Sequence, residues 1–159
     1  MVPEAMAQQR WTPESHTLLV RKHAALNGIP ESLIFRMIKI ESGGNPRAVS
    51  KGNYGLMQIR LGTARGMGYR GNAAGLLDAD TNMTYAVKYL AGAYRTAGRN
   101  PDRTVHYYAA GYYYAAKNKG LLDQSNDNPL NAFASAAANN QDASAIAVAI
   151  TGPSSPDFR

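Results

Sequence analysis

Cysteine is absent from the sequence, and its absence limits the chemistry open to the protein. Without a cysteine among its 159 residues, the chain has no disulfide scaffold, no thiol nucleophile and no thiolate site for zinc or an iron–sulfur cluster. Long apolar runs are absent as well. None approaches the roughly 20 residues that a membrane helix needs, so we expect no membrane span. Residues 1–4 lack the basic start of a signal peptide, and we expect none in this chain.

Apolar residues and basic charge are what the sequence does contain. Hydrophobic residues make up 45%, which is too apolar for a disordered chain, and the length suits one domain. Lys and Arg number 17 against 11 Asp and Glu, a formal net charge of +6, which favours an anionic partner such as nucleic acid, a membrane surface or an acidic polymer. No block of adjacent basic residues is longer than Arg21-Lys22, so we expect no binding to nucleic acid.

Apolar residues at helical spacing predict a mainly α fold, because no alternating strand of convincing length competes with them. We expect a first helix from Thr12 to Gly28 and a second from Pro30 to Gly43. Residues 43–80 are rich in Gly, Asn, Ser and Arg, a composition that predicts loops and short helices. This region is suited to form the wall of a cleft.

Two more helices are expected after the loop-rich region. One begins around Thr81 and ends near Gly98, and the other runs from Asn100-Pro101 to Gly120. The apolar face of the last helix is predicted to carry Val105, Tyr108, Tyr112 and Ala115. The predicted organisation is an N-terminal extension at residues 1–11, a helical domain at 12–120 and a C-terminal extension at 121–159 that is partly helical and then a tail.

Glu41 is the most informative position in the sequence. It follows Ile34 by seven residues and Met37 by four, so its carboxylate lies on the apolar face of the second helix. Desolvation there disfavours the charged form and raises the pKa toward neutrality, as a general acid requires. On spacing alone the alternative is a structural glutamate, paired with an arginine or exposed at the helix end.

Several ordered motifs extend from Glu41 toward the end of the helical domain. They are Glu41-Ser42-Gly43-Gly44-Asn45-Pro46-Arg47-Ala48-Val49-Ser50, Gly55-Leu56-Met57-Gln58-Ile59, Thr63-Ala64, Asp78-Ala79-Asp80-Thr81-Asn82-Met83, Tyr89-Leu90 and Tyr108-Ala109-Ala110-Gly111. Over roughly residues 28–120 the chain resembles the catalytic domain of soluble lytic murein transglycosylases, which are relatives of goose-type lysozyme.

The resemblance implies a lysozyme-like helical domain that cleaves the β-1,4 bond between N-acetylmuramic acid and N-acetylglucosamine. Glu41 would be its single catalytic carboxyl, acting as general acid and then as general base on the muramoyl C6 hydroxyl. The product would be a 1,6-anhydromuramoyl end. Tyr108 matches a tyrosine near that carboxyl, where it could orient Glu41 and favour its protonated form by a hydrogen bond.

The same resemblance implies a set of substrate-binding residues. Ser50, Met57 and Gln58 would line the sugar sites, Gly55 and Leu56 would shape the turn that carries them, and Asn82 would support a helix start or reach the cleft. Tyrosine rings, Tyr112 among them, suit stacking on sugars. No cofactor is implied, and His16, His23 and His106 lack the paired spacing of metal ligands.

Three departures from the family pattern leave alternatives open. Ala109 replaces a common asparagine, so a hydrogen bond to a sugar is missing unless a neighbour replaces it. The neighbours available are Tyr107, Tyr112, Tyr113 and Tyr114. Leu61 and Ala79 stand where proline is common, a change that concerns conformation. The alternatives are a hydrolysing muramidase, for which Asp78 and Asp80 are the candidate second acids, and a non-catalytic peptidoglycan-binding assembly factor.

The substrate implied by the resemblance also sets expectations about location and partners. Because murein lies outside the cytoplasmic membrane, we expect action in the periplasm or the cell wall. The expected partners are peptidoglycan glycan strands and a secretion-system or other envelope assembly, with the protein itself a monomer.

Overall fold

The computed structural model describes residues 13–121, and most of them are helical. In chain order the helices are α1 (Pro13–Asn27), α2 (Glu31–Ser42), α3 (Leu61–Gly66), α4 (Ala79–Thr96), α5 (Pro101–Ala110) and α6 (Tyr113–Asn118), with a 3₁₀ helix at Ala73–Leu77. The predicted mainly α fold is confirmed. The predicted extensions at 1–11 and 121–159 lie outside the described residues, apart from Leu121.

The core of the molecule is arranged around α4. Helices α1 and α5 pack against α4, and α2 packs against α1. On α4, Met83, Val87 and Leu90 are fully buried, as their helical spacing predicts. The face of α2 that was predicted from spacing is confirmed too. Its buried residues are Leu33, Ile34, Met37 and Ile38.

The ends of the helices follow local sequence signals. Helix α2 ends at Ser42 and is followed by Gly43, whose φ of 60° is left-handed, a conformation that glycine adopts without steric cost. At the start of α4 the Asp78 side chain accepts a hydrogen bond from the amide of Thr81, 2.9 Å away, so Asp78 is a helix cap, as an aspartate in that position usually is. Asn100 caps α5 in the same way through the amide of Arg103.

The helix predicted from Asn100-Pro101 to Gly120 is wrong in one respect, because it is two helices. The chain breaks at Gly111, where φ is 86° and ψ is 152°, a backbone conformation that leaves the α region. The break changes the phase of the second part. Ala116 is therefore buried in place of Ala115, while Tyr108 and Tyr112 are buried as predicted.

Between α2 and α3 the chain forms a small antiparallel sheet of three two-residue strands, β1 (Val49–Ser50), β2 (Asn53–Tyr54) and β3 (Ile59–Arg60). In its register Ser50 faces Asn53, and Asn53 also faces Arg60. These strands and the helices after them form the wall expected at residues 43–80. Within residues 13–121, no helix combines the length and apolar character required to cross a bilayer.

A polar cluster fastens α1 to the start of α4. The Nε2 atom of buried His23 lies 2.7 Å from an Asp80 carboxylate oxygen, and the Lys22 ammonium lies 3.0 Å from both oxygens. The hydrogen bond from His23, followed by that from Lys22, lowers the pKa of Asp80. This link joins residues 57 and 58 positions apart in sequence.

The His23–Asp80 link predicts a pH-dependent loss of stability. Because the pKa of Asp80 is lower in the folded chain than its unfolded value of about 3.9, its contribution is present above that value and is lost as pH falls through the folded pKa. Asp80→Asn should therefore lower the melting temperature at pH 7, and the difference from wild type should shrink near pH 3. Thermal unfolding at both pH values measures this.

Asp102→Asn is the matched control for this prediction, because Asp102 pairs with Arg36 and its side chain is 84% exposed. Exposed pairs contribute little, so we expect almost no change. The same loss for Asp80→Asn at both pH values would show that the cluster does not act through the charge of Asp80.

Candidate active site

A pocket of about 220 Å³ opens beside the end of α2. Three residues predicted for the site, Glu41, Gln58 and Tyr108, meet in its wall. The complete lining is Glu41, Asn53, Gln58, Ile59, Arg60, Thr63, Tyr89, Tyr108, Ala109 and Gly111. Segments from α2, the sheet, α3, α4 and α5 therefore converge on one cavity.

Glu41 is the one acidic residue in this lining. It lies in the last turn of α2, with its side chain half-buried. Burial raises the pKa of its carboxyl above the ordinary value of 4.5, because desolvation penalises the charged form. Among residues 13–121 the structure records no ion pair of Glu41, so the structural alternative of pairing with an arginine is not what is observed.

Tyr108 also lines the pocket, and its side chain is buried. Its hydroxyl donates to the backbone oxygen of Met57, 2.8 Å away, so its single proton is used there and not on Glu41. Burial, and then the neighbouring Glu41 carboxylate, raise the pKa of Tyr108 well above 10. The hydroxyl therefore stays protonated and retains only its capacity to accept a hydrogen bond from another group.

The turn at residues 55–58 holds Gln58 in the pocket. Gly55 has a φ of 76°, and its amide donates to the oxygen of Ala48 at 2.8 Å. The side-chain amide nitrogen of Gln58 donates to the oxygens of Ala48 and Gly55 at 3.0 and 2.9 Å. Both bonds use the nitrogen. Since no partner of the side-chain oxygen is recorded among the described residues, this oxygen can accept a hydrogen bond from a ligand.

Asn82 holds this turn in place through hydrogen bonds from the core, and it does not line the pocket. Its side chain is fully buried, and its oxygen accepts from the amide of Met57 at 3.0 Å. Its nitrogen donates to the oxygens of Tyr54 and Leu76 at 2.7 and 2.8 Å. Asn82 was predicted to support a helix start or to reach the cleft, and the structure places it as a support of the turn that carries Gln58.

Ser42 joins the same turn to α2, next to Glu41. Its hydroxyl oxygen lies 2.7 Å from the backbone oxygen of Leu56, to which it donates, and 3.2 Å from that of Ile38. The amide of Gly44 donates back to the hydroxyl at 3.1 Å. Ser42 therefore ties the end of α2, which carries Glu41, to the turn at residues 55–58.

The remaining predicted residues lie outside the pocket lining. Ser50 is exposed on β1, while the side chains of Leu56 and Met57 are fully buried in the core. Tyr112 is buried as well and donates to the backbone oxygen of Tyr89 at 2.8 Å. Its ring lies against that of Tyr89, with centroids 4.9 Å apart, so Tyr112 packs against a pocket residue on the side of the core.

Sequence reasoning did not assign several residues of the pocket wall. Tyr89 and Thr63 fall within the quoted motifs, but the sequence pattern does not show that their side chains line the pocket. Thr63 is 6% exposed, and no hydrogen bond of its hydroxyl is recorded within residues 13–121. Asn53 and Arg60 reach the pocket through the register of two-residue strands, which carry no signal in the sequence pattern.

The three departures from the family pattern now have positions in the fold. Ala109 lines the pocket, so a methyl group stands where an amide is common. None of the tyrosines considered as replacements, at 107, 112, 113 and 114, lines the described pocket. Leu61 and Ala79 are the first residues of α3 and α4, the position at which proline is favoured. Their difference therefore concerns helix initiation.

Comparison with known proteins is consistent with this arrangement. The family model described as Transglycosylase SLT domain matches residues 19–131. Over 98 residues the chain is 40% identical to a protein of Salmonella paratyphi B named Endo-type membrane-bound lytic murein transglycosylase A. The like-named protein of Salmonella typhimurium matches equally. Each match covers 57% of this chain and 45% of the relative, so the chain spans less than half the length of these relatives.

The close packing around Gly55 predicts that alanine substitutions at Gly55 and Gly28 will destabilise the fold to different extents. A Cβ at Gly55 would meet the Asn82 carboxamide and the Leu76 oxygen, whereas a Cβ at Gly28 has nothing within 4 Å, and both glycines have positive φ. Gly28→Ala should cost about 1 kcal/mol for the left-handed backbone alone. Gly55→Ala adds overpacking and should cost about 3 kcal/mol. Urea unfolding measures both, and equal losses would contradict the packing described here.

Proposed function

The chain belongs to the transglycosylase SLT domain family, and from this premise we propose that it acts as a peptidoglycan lytic transglycosylase. The resemblance found in its motifs and the lysozyme-like helical fold are thereby confirmed. The observation that carries the proposal is a half-buried carboxyl with a raised pKa in a pocket lined by polar and aromatic side chains. The proposed bond is the β-1,4 bond between N-acetylmuramic acid and N-acetylglucosamine.

In the first step Glu41 acts as general acid. Its raised pKa keeps a larger fraction of the carboxyl protonated near neutral pH. The proton passes to the glycosidic oxygen, the bond from that oxygen to the muramoyl anomeric carbon breaks, and N-acetylglucosamine leaves as an alcohol. Positive charge then develops at the anomeric carbon, next to the carboxylate that has just formed.

In the second step the same carboxylate acts as general base. It takes the proton of the muramoyl C6 hydroxyl while that oxygen bonds to the anomeric carbon, which closes a 1,6-anhydro ring. Glu41 is protonated again at the end, so acid and base are one residue and no water is consumed. The substrate's own N-acetyl group is proposed to stabilise the positive carbon, so a second carboxylate is not required.

The acids near the site favour this route over a hydrolase that needs two carboxyls. Such enzymes place the pair about 5–5.5 Å or about 6.5–9.5 Å apart across the bond. Asp78 caps α4 and Asp80 binds His23 and Lys22, and neither lines the pocket. Hydrolysis on this scaffold would therefore rely on Glu41 and water alone.

The residues around Glu41 suit a saccharide. Within residues 13–121 no hydrogen bond of the Gln58 side-chain oxygen is recorded, so this oxygen can accept from a sugar hydroxyl or acetamido N–H. Tyr89 adds an aromatic side chain to the pocket wall. Tyr89 is held by Tyr108, with ring centroids 5.2 Å apart.

We place the enzyme in the periplasm or cell wall because its proposed substrate lies there, with glycan strands as its partner and an envelope assembly as a second one.

Replacement of Glu41 tests the proposed function most simply. Glu41→Gln keeps the shape and removes the proton donor, so turnover of purified peptidoglycan should fall at least about 100-fold. Stability should not fall, because a carboxyl with a raised pKa destabilises the fold when it ionises. Mass spectrometry of the released muropeptides should find anhydromuramoyl ends with wild type only, while thermal unfolding verifies the fold.

Other products would point to the alternatives. Glu41-dependent reducing ends, heavier by one water, would identify a muramidase on the same scaffold. Strand binding without any release from wild type would identify a binding module. Substantial turnover by Glu41→Gln would remove Glu41 from its assigned role.

A pair of tyrosine variants tests how Tyr108 acts on Glu41. Because its proton is used on Met57, the Tyr108 hydroxyl could only accept a hydrogen bond from Glu41. Such a bond would stabilise the protonated carboxyl, and Tyr108→Phe should then lower the pKa of Glu41. The upper limb of the pH–rate profile, where Glu41 loses its proton, should then move to lower pH. Tyr112→Phe is the matched control, since it also removes a buried hydroxyl-to-backbone bond.

Each tyrosine variant should lose about 1 kcal/mol of stability for its hydrogen bond, measured by urea unfolding. Only Tyr108→Phe should move the pH limb of kcat/KM. Equal pH profiles for the two variants would show that Tyr108 serves the structure alone.

A further inference from the structure

Arg60 is a basic residue in the pocket wall to which the proposed chemistry assigns no role. It lies on β3, half-buried, and lines the same cavity as Glu41. Within residues 13–121 no ion pair or side-chain hydrogen bond of its guanidinium is recorded. No ion pair joins Arg60 to Glu41 within the described residues, and burial raises the pKa of Glu41, so the guanidinium and the carboxyl share a cavity without forming a salt bridge.

The surroundings of Arg60 contain no acidic residue along the chain. From residue 42 to residue 77 the sequence has no Asp or Glu, while it carries the basic residues Arg47, Lys51, Arg60, Arg65 and Arg70. Only Arg60 of these lines the pocket. A cleft wall of one charge sign attracts anions, and the guanidinium inside the cavity is the group that can contact one directly.

The residue that pairs with Arg60 in the sheet also lies in the pocket wall. Asn53 is its partner in the register of β2 and β3, and both residues line the pocket. The side-chain nitrogen of Asn53 donates to the oxygen of Ser50 at 3.0 Å, so the Asn53 side chain is fixed on the hairpin at the position that pairs with Arg60. A planar guanidinium on a short, paired strand is suited to two parallel hydrogen bonds to a carboxylate.

We propose that Arg60 binds a carboxylate carried by the muramoyl residue, so that the pocket selects anionic glycan strands over neutral ones. The inference rests on the proposed function for its substrate. The carboxylate has two possible sources, the free lactyl group of a strand without peptides and the acidic residues of the stem peptide. Both offer the same planar anion to the guanidinium, and only the strand used decides between them.

Binding measured in a Glu41→Gln background tests the proposal without turnover. The probes are soluble strands with stem peptides and strands freed of peptides by an amidase. Each is also used after carbodiimide coupling to methylamine, which neutralises its carboxylates. Arg60→Met should weaken binding of at least one unmodified strand about 10-fold, and Arg60→Lys should recover part of the loss. On neutralised strands Arg60→Met should bind like its parent.

Arg70→Met is the matched control, because Arg70 is exposed on the same wall and does not line the pocket. It should change binding by less than about two-fold. A loss confined to peptide-bearing strands would assign the stem carboxylate, and a loss confined to peptide-free strands would assign the lactyl group. An equal loss on neutralised strands, no loss at all, or the same loss for Arg70→Met would overturn the proposal.

Failure of the proposed function is distinguishable from failure of this inference. If the chain with Glu41 intact releases no product, the enzyme assignment fails, yet the binding data still decide whether Arg60 recognises a carboxylate. If product is released and Arg60→Met binds every strand like its parent, the assignment stands and the role of Arg60 is wrong.

Discussion

The buried carboxamide of Asn82 is the interaction on which the site depends. Its three hydrogen bonds reach the backbone of Tyr54, Met57 and Leu76, and a buried backbone group left without a partner costs about 1–3 kcal/mol. The turn that it holds places Gln58 in the pocket and presents the Met57 oxygen to Tyr108. One side chain on α4 thus organises two walls of the cavity around Glu41.

The charges of the pocket are arranged for a proton donor. Glu41 extends from an apolar helix face, and burial raises its pKa. Within residues 13–121 it forms no ion pair with Arg60, although the guanidinium lines the same cavity. A salt bridge would have lowered the pKa and removed the acid. The polar link between His23 and Asp80 that joins α1 to α4 lies outside the pocket lining, so the carboxylate of Asp80 and the carboxyl of Glu41 occupy separate parts of the fold.

The sequence predicted the parts of the fold that depend on local periodicity. The face of α2 and the direction of Glu41 follow from a period of 3.6 residues, which needs no knowledge of distant partners. The break at Gly111 was missed, because a glycine inside a helical pattern is tolerated and only its φ of 86° ends the helix. The resemblance of the motifs predicted that Gln58 and Tyr108 lie at the site, and both line the pocket.

Long-range contacts account for what the sequence did not predict. Asn82 bonds to an oxygen 28 positions away, and a pattern cannot show whether a polar side chain faces a cleft or a buried backbone. The lining roles of Asn53 and Arg60 depend on the register of two-residue strands, which are too short to show alternation. Tyr112, predicted to bind the substrate because tyrosine rings suit stacking on sugars, is instead buried and packs against Tyr89.

The pKa of Glu41 is the quantity that tests the central claim most directly. Side-chain carboxyl ¹³C chemical shifts of Glu41, assigned with the Glu41→Gln variant and followed over pH in the free protein, measure it without substrate. The account predicts a midpoint above 4.5, because burial in the pocket wall penalises the carboxylate. A midpoint at or below 4.5 would mean that the carboxyl is solvated or paired, and it would contradict the role of Glu41 as general acid.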